Sequence, residues 1–277
     1  MKSNEIDIGH LEMSTRIGCS GWSYIDWVGP FYPANTRPDE YLKLYSRIFD
    51  TVEIDSTFYR VPSAQMVNQW YTNTPDHFLF CPKLPKRITH DLHLENSTQY
   101  YDHFSKRMGA LNEKLGPFII QMPPSFKYQK HLEQLTRFLN GLDHNHRYAV
   151  EFRNESWFNP EVEKLLTENE ICQVWSVNQY LTTPPAVTSE FVYMRFVGDR
   201  SIDRFGKIQK DQSQVMETWS KSISQVPESR EKFVLFNNHF AGFGPGSANE
   251  FRRLMGLAQL DWSGLAKDSA QKSMFDF

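Results

Sequence analysis

The decapeptide TVEIDSTFYR (51–60) begins like a buried β-strand, yet Glu53 and Asp55 alternate in it with Val52 and Ile54. In a strand, residues i and i+2 share a face. Val52 and Ile54 therefore belong to one face, and Glu53, Asp55 and Thr57 to the other. An apolar face packed on helices and a polar face turned to an enclosed mouth is what a barrel strand would show. Neighbours on one face are about 6.6 Å apart along a strand. The two carboxylates are thus no self-contained dyad, and their partners are expected on other strands.

Seven further segments read as strands: RIGCSGW (16–22), HFLFCPKL (77–84), FIIQMPP (118–124), YAVEFRN (148–154), CQVWSV (172–177), FVYMRFVG (191–198) and KFVLFNN (232–238). Helical patterns separate most of them. RPDEYLKLYSRIF (37–49) has Pro38 near its first turn, where a missing N–H costs little, and Tyr41, Tyr45 and Ile48 on one face. AQMVNQWY (64–71) follows Ser63, a suitable N-cap. In 98–116 the stripe is Tyr100, Phe104, Met108, Leu111 and Leu115, stopped by Gly116 and Pro117. Segments 131–142, 160–170, 213–224 and 247–260 complete the set, while the Pro-rich stretch NQYLTTPPAVTSE (178–190) leaves little room for a helix. Alternating strands and helices imply a parallel sheet. Eight units in 277 residues suit a single α/β domain, a (β/α)8 TIM barrel with a weak or missing helix after the sixth strand. An open doubly wound sheet fits less well, because no Gly-rich nucleotide loop follows the first strand. The expected layout is an N-terminal extension (1–15), the barrel (16–262) and a C-terminal tail (263–277).

The parity of strand two recurs. Val150 and Phe152 face helices while Glu151 and Arg153 face in; Tyr193 and Arg195 face in on strand seven; Lys83 shares a face with Leu79 and Cys81, and Gln121 with Ile119. Strand eight ends in Asn237 and Asn238, whose parity stays open. Burying an unpartnered ion costs several kcal/mol, so carboxylates and cations gathered at one mouth must meet each other, water or a ligand. Catalytic groups of this fold come from the C-terminal ends of several strands. The same residues would equally build an ion-pair network that closes the barrel top. Trp22, Tyr24 and Trp27 follow strand one and would either stack on a ligand or wedge the loop. His90 and His93 lie three apart, and His239 follows the asparagine pair. No dedicated His-rich metal spacing is present, and no cofactor is expected. A magnesium ion on Glu53, Asp55 and Glu151 is compatible with the pattern.

Net charge is −3, with 40% hydrophobic and 23% charged residues, which gives no global electrostatic case for nucleic acid or an anionic membrane. No apolar run is long enough to cross a membrane, and the first residues lack the apolar core of a signal peptide. Cys19, Cys81 and Cys172 each sit in an apolar run. They read as reduced buried thiols of a cytoplasmic protein.

The motifs IGCSGWSYIDWVGPFYP, TVEIDSTFYR, KLPKRITH, GPFIIQMPPSF, YAVEFRNESWF, FVYMRF and FNNHFAG, in that order, resemble the signatures of the YecE-like family, domain-of-unknown-function family 72. The resemblance runs from about residue 16 to about residue 255 and implies a TIM barrel of unestablished activity. It places Glu53, Lys83, His90, Gln121, Glu151, Arg153, Trp157, Arg195, Asn237 and Asn238 on family motifs without supplying roles. Val197 stands where the family has a histidine before the glycine.

Three functions follow as expectations. The first is a hydrolase or lyase acting on a small anionic substrate, phosphorylated or carboxylated and sugar-like. Glu53, Glu151 and Lys83 would be catalytic. Trp22, Tyr24, Asp55, His90, Gln121, Arg153, Arg195, Asn237 and Asn238 would bind substrate. Lys83 could form a Schiff base if its amine is deprotonated. Glycoside hydrolysis by Glu53 and Glu151 is a narrower version, with carboxyl groups about 5–5.5 Å or 6.5–9.5 Å apart. The second is nucleic-acid binding or processing at a phosphodiester or abasic site. The third is a non-catalytic ligand-binding or structural barrel, with the polar loop 197–213 as a mobile lid or docking loop. The oligomeric state is left open.

Overall fold

The computed structural model describes residues 15–265. The expected extension and tail therefore lie outside the described residues, apart from Thr15 and residues 263–265. β-branched and aromatic runs form β1 (Thr15–Ser20), β2 (Thr51–Ile54), β3 (Leu79–Pro82), β4 (Phe118–Gln121) and β5 (Tyr148–Glu151). They continue in β6 (Cys172–Gln173), β7 (Trp175–Val177), β8 (Phe191–Phe196) and β9 (Glu231–Phe236). Six strands pair in the order β3-β2-β1-β9-β8-β7 and three in the order β4-β5-β6. Every pairing is parallel. The two segments meet twice. A bridge joins Lys83 to Ile119, where the Leu84 amide donates to Ile119 O at 2.9 Å. At the other seam, β6 and β7 are parts of one run. It changes partner at Val174, whose amide still donates to Val150 O at 2.9 Å.

The alternation sorts side chains into two apolar layers. Leu79, Cys81, Ile119, Ala149, Tyr193 and Leu235 belong to an inner cluster. Val52, Ile54, Val150, Phe152, Val192 and Met194 belong to the larger cluster between strands and helices. This is the arrangement of an α/β TIM barrel, in which inward residues fill the interior in layers.

The helices are α1 (Tyr41–Tyr45), α2 (Ala64–Thr72), α3 (Thr98–Met108), α4 (Tyr128–Asn140), α5 (Pro160–Glu168), α6 (Ser213–Ser224), α7 (Asn238–Ala241) and α8 (Gly244–Leu254). Ser63 caps α2, its hydroxyl accepting from the Met66 amide at 3.1 Å. No helix follows β7, as the composition of 178–190 predicts. Side chains hold that stretch instead: Gln173 Nε2 donates to Pro184 O at 3.1 Å, and Trp175 Nε1 to Ala186 O at 2.7 Å.

Three expectations need correcting. The first helix is short and preceded by a 3-10 turn at Pro38–Glu40. The third turns its Tyr101, not Tyr100, to the core; Tyr100 is exposed. That helix stops at Met108 and gives way to a 3-10 segment that kinks at Asn112, at φ 48°. Most relevant to the site, β2 ends at Ile54, and Asp55–Phe58 form a 3-10 turn. Asp55 and Thr57 are therefore not strand residues. Thr57 is buried; its hydroxyl lies 2.7 Å from both Ile54 O and Lys83 O and accepts from the Lys83 amide at 3.1 Å. This locks the end of β2 onto the end of β3.

Gly198 closes β8 at φ +71°, and a Cβ there would stand 2.1 Å from the His239 carbonyl oxygen. Gly198→Ala should lower stability by about 1–3 kcal/mol. Chemical denaturation that reads no loss would refute this packing of the two strand ends.

Candidate functional site

The inner layer carries the site. One step of two residues beyond Cys81, Ile119, Ala149, Tyr193 and Leu235, on the same face, come Lys83, Gln121, Glu151, Arg195 and Asn237. Each lies at or just past the C-terminal end of its strand. Glu53, level with Cys81 across the β2–β3 ladder, completes the ring.

Arg195 stands at the centre, 2% exposed. Its Nη2 is 2.5 Å from Glu53 Oε1, and its Nη1 donates to Glu151 Oε2. Glu53 Oε2 accepts from the Tyr193 hydroxyl at 3.0 Å. Glu151 Oε1 accepts from the Ser176 hydroxyl at 2.9 Å and has Arg153 Nε 2.5 Å away. Both glutamates are 0% exposed, so every carboxylate oxygen is engaged and neither glutamate lines the cavity above. Burial pushes the Glu53 carboxyl up despite the pull of Arg195, and Asp55 adds to the rise. Burial acts on Glu151 too, but Arg153, Arg195 and Lys83 outweigh it and hold the carboxyl down at about 2.

Above this ion network lies a cavity of about 940 Å³. Lys83, Arg153, Arg195, Lys86 and Arg200 line it, against the carboxylates of Asp55 and Asp199. Lys83 Nζ sits 3.4 Å from Asp55 Oδ1 and 4.4 Å from the centre of the Phe58 ring. Burial lifts the Asp55 carboxyl, but Lys83 and Arg195 overcome that and bring it below the usual range. His90 reaches the same space from a π-helical turn at Arg87–Asp91, with Nδ1 2.8 Å from the Thr89 hydroxyl. Burial, with Lys83 and Lys86 nearby, depresses its pKa to about 4, so the imidazole is neutral at pH 7.

The structure thus brings Lys83, Asp55, His90, Gln121, Arg153, Arg195, Tyr24, Asn237 and Asn238 to one cavity. Trp22 does not belong to it. Its ring packs edge-on against Trp70 and Phe80 at 5.6 and 6.3 Å, away from the mouth. Trp27 is buried under the loop, and Trp157 is stacked between Phe126 and Phe152. Among the described residues, no group of three or more His, Cys, Asp or Glu side chains is arranged to hold a metal ion. The carboxylates considered for magnesium are instead engaged by arginine and lysine. The loop that follows β8 is tied across the mouth. The Phe205 amide donates to Asp26 Oδ2 at 2.7 Å, the Gln209 amide to Ala241 O at 2.7 Å, and Lys210 to Asp199. Lining residues not singled out from the sequence include Phe58, Tyr59, Lys86, Asn178, Asp199 and Arg200. Their shared signal is position, within about five residues of the end of a strand.

A parallel α/β barrel with a charged cavity at the C-terminal ends of its strands is the architecture of a TIM-barrel protein. The family model described as "Protein of unknown function DUF72" matches residues 16–272, and the chain belongs to that family. YunF of Bacillus subtilis is 25% identical over 278 residues, covering 90% of this chain and 96% of YunF. YecE of Escherichia coli K12 is 32% identical over 142 residues, 51% of this chain and 49% of YecE. The crystal structure of a DUF72 family protein from Thermotoga maritima superposes with a TM-score of 0.73 at 26% identity, over 87% of this chain and 99% of that one.

The ion network predicts opposite pH signatures for its two glutamates. Glu151 has a depressed folded-state pKa, so its stabilisation is present above the unfolded value of about 4.3 and is lost as pH falls toward 2. The contribution is about 3 kcal/mol. Glu53, with a raised pKa, is unfavourable when ionised, and its cost is relieved as pH falls. Glu151→Gln should therefore flatten the acid limb of the stability–pH curve, measured by urea denaturation from pH 7 to pH 3. An unchanged acid limb would contradict the assignment.

Proposed function

We propose that the barrel mouth binds a small anionic metabolite, phosphorylated or carboxylated and sugar-like, and transforms it by acid–base chemistry of the hydrolase or lyase kind. The observation that carries this reading is the imbalance of the cavity lining. Five cationic side chains face two carboxylates; Glu53 and Glu151 offset Arg195 and Arg153 from below, but neither lines the cavity, so the surface a ligand meets is predominantly cationic. A cavity of this size suits a small ligand. Fixed positive groups in a water-restricted site stabilise negative charge far better than they would in bulk water.

Roles divide by reach. Glu53 and Glu151 act as positioning residues that fix Arg195 and Arg153, because neither carboxylate has an oxygen left for a substrate. Proton transfer falls to groups that touch the cavity: the neutral imidazole of His90 as base, and the ammonium of Lys83, held on Asp55, as acid. The neutral imidazole is in the form that accepts a proton, and a bound anion beside it would raise its depressed pKa toward the working pH that general-base catalysis favours. Glycoside hydrolysis by the Glu53–Glu151 pair is disfavoured, since both carboxyl groups are bound to one arginine. The free buried thiols Cys19, Cys81 and Cys172 support a reducing, cytoplasmic setting. No helix among the described residues is long and apolar enough to cross a membrane.

In a thermal-shift screen, phosphorylated or carboxylated metabolites should raise the melting temperature by about 2–4 °C near saturation. Added salt should weaken the shift. Arg153→Gln and Lys83→Met should abolish it, and neutral sugars should give none. A panel in which no anion shifts the wild-type protein would overturn the proposal.

A further inference from the structure

Four carboxamide side chains line the cavity: Gln121, Asn178, Asn237 and Asn238. Each has its oxygen held by a protein group that can only donate. Gln121 Oε1 accepts from Arg195 Nη1 at 3.1 Å and Arg153 Nη2 at 3.4 Å. Asn178 Oδ1 accepts the backbone amides of Tyr180 and Leu181, both at 2.9 Å. Asn237 Oδ1 accepts the His239 amide at 3.0 Å. Asn238 Oδ1 accepts the Gly244 amide at 2.8 Å and the Trp27 indole N–H at 3.2 Å. Guanidinium, indole and backbone N–H groups never accept, so none of these amides can turn round. Each therefore keeps its NH2 group turned away from the donors that hold its oxygen. Asn178 directs one N–H to the Ser176 hydroxyl at 3.4 Å. Asn238 is 2% exposed, and its buried Nδ2 has no hydrogen-bond partner. The two carboxylates of the lining are meanwhile occupied: Asp55 by Lys83 and Arg195, Asp199 by Lys210 and Ser201.

We infer that the amide groups of the cavity form a donor surface that selects a phosphorylated ligand, with Gln121, Asn237 and Asn238 as specificity-determining residues. The inference rests on the anion reading proposed above and narrows it. Three amide groups present about six N–H hydrogens, beside Lys83 and Arg153, whereas a carboxylate offers only about four acceptor sites. A phosphoryl group brings three strongly accepting oxygens. The hydroxyls of an unphosphorylated sugar both donate and accept, and their donors would face further donors.

Gln121→Met and Asn237→Ser test this without adding charge. Each removes the NH2 group, and a serine hydroxyl can still accept the His239 amide that Asn237 Oδ1 accepts now. Isothermal titration calorimetry would use inorganic phosphate, a hexose 6-phosphate, the same hexose and its hexonate. The wild-type protein should bind both phosphate ligands, bind hexonate more weakly and not bind hexose. Both variants should keep the wild-type circular dichroism spectrum and lose affinity for the phosphate ligands by at least about tenfold. If both variants bind phosphate within about twofold of wild type, the amide-donor assignment is wrong and the anion site stands. Binding of hexonate without either phosphate ligand overturns the phosphate class and again leaves the anion site. Binding of hexose alone, or of none of the four, overturns both.

Discussion

Arg195 lies between two carboxylates from opposite parts of the barrel, Glu53 on β2 and Glu151 on β5, and all three side chains are withdrawn from solvent. Such a cluster is a poor way to gain stability, since well-packed apolar residues often serve as well or better. It does fix geometry. With both Nη atoms committed, the guanidinium cannot swing, and Gln121 is oriented by it. Arg153, paired with the same Glu151, is fixed from the other side. The donor surface of the cavity is therefore set from below by Glu53 and Glu151, which do not line it. Removing Arg195 would leave two buried anions facing one another, a loss of stability and of the site together.

The layering explains why so much of this was legible in the sequence. Cys81 to Lys83, Ile119 to Gln121, Ala149 to Glu151, Tyr193 to Arg195: each is one period-two step from apolar interior to polar mouth. The alternation announces both the barrel and the ring of polar residues at its top, and the Pro-rich stretch 178–190 announces its one irregular unit. Which polar groups face a ligand and which face each other was not legible. Alternation assigns a face; pairing across the barrel depends on how strands from distant parts of the chain converge. Glu53 and Glu151 read from sequence as catalytic acids, yet Arg195 seals them. Trp22, in a loop beside Tyr24, has no periodicity to direct it, and apolar packing on Trp70 and Phe80 draws it from the mouth. Asp55 was placed on a strand because nothing local shows that β2 stops at Ile54; the Thr57–Lys83 hydrogen bonds, a tertiary feature, end it there.

Membership of the DUF72 family, whose Thermotoga maritima member of known structure shares the fold, brings no established reaction with it. The chemistry of this chain has to be read from its own atoms. They present a cavity whose cations are fixed from below, whose amides are turned by obligate donors, and whose His90 stays neutral beside two lysines. Val197, where a family histidine was expected, lines the cavity without an ionisable group, which leaves His90 and His239 as its imidazoles.

The most direct test is the position of a heavy oxyanion in a crystal of the wild-type protein. Tungstate soaked at low millimolar concentration should give an anomalous peak in the barrel mouth, within hydrogen-bonding distance of Arg153, Lys83 and at least one of Gln121, Asn237 and Asn238. Tungstate bound elsewhere on the surface, with no peak in this cavity, would contradict the account.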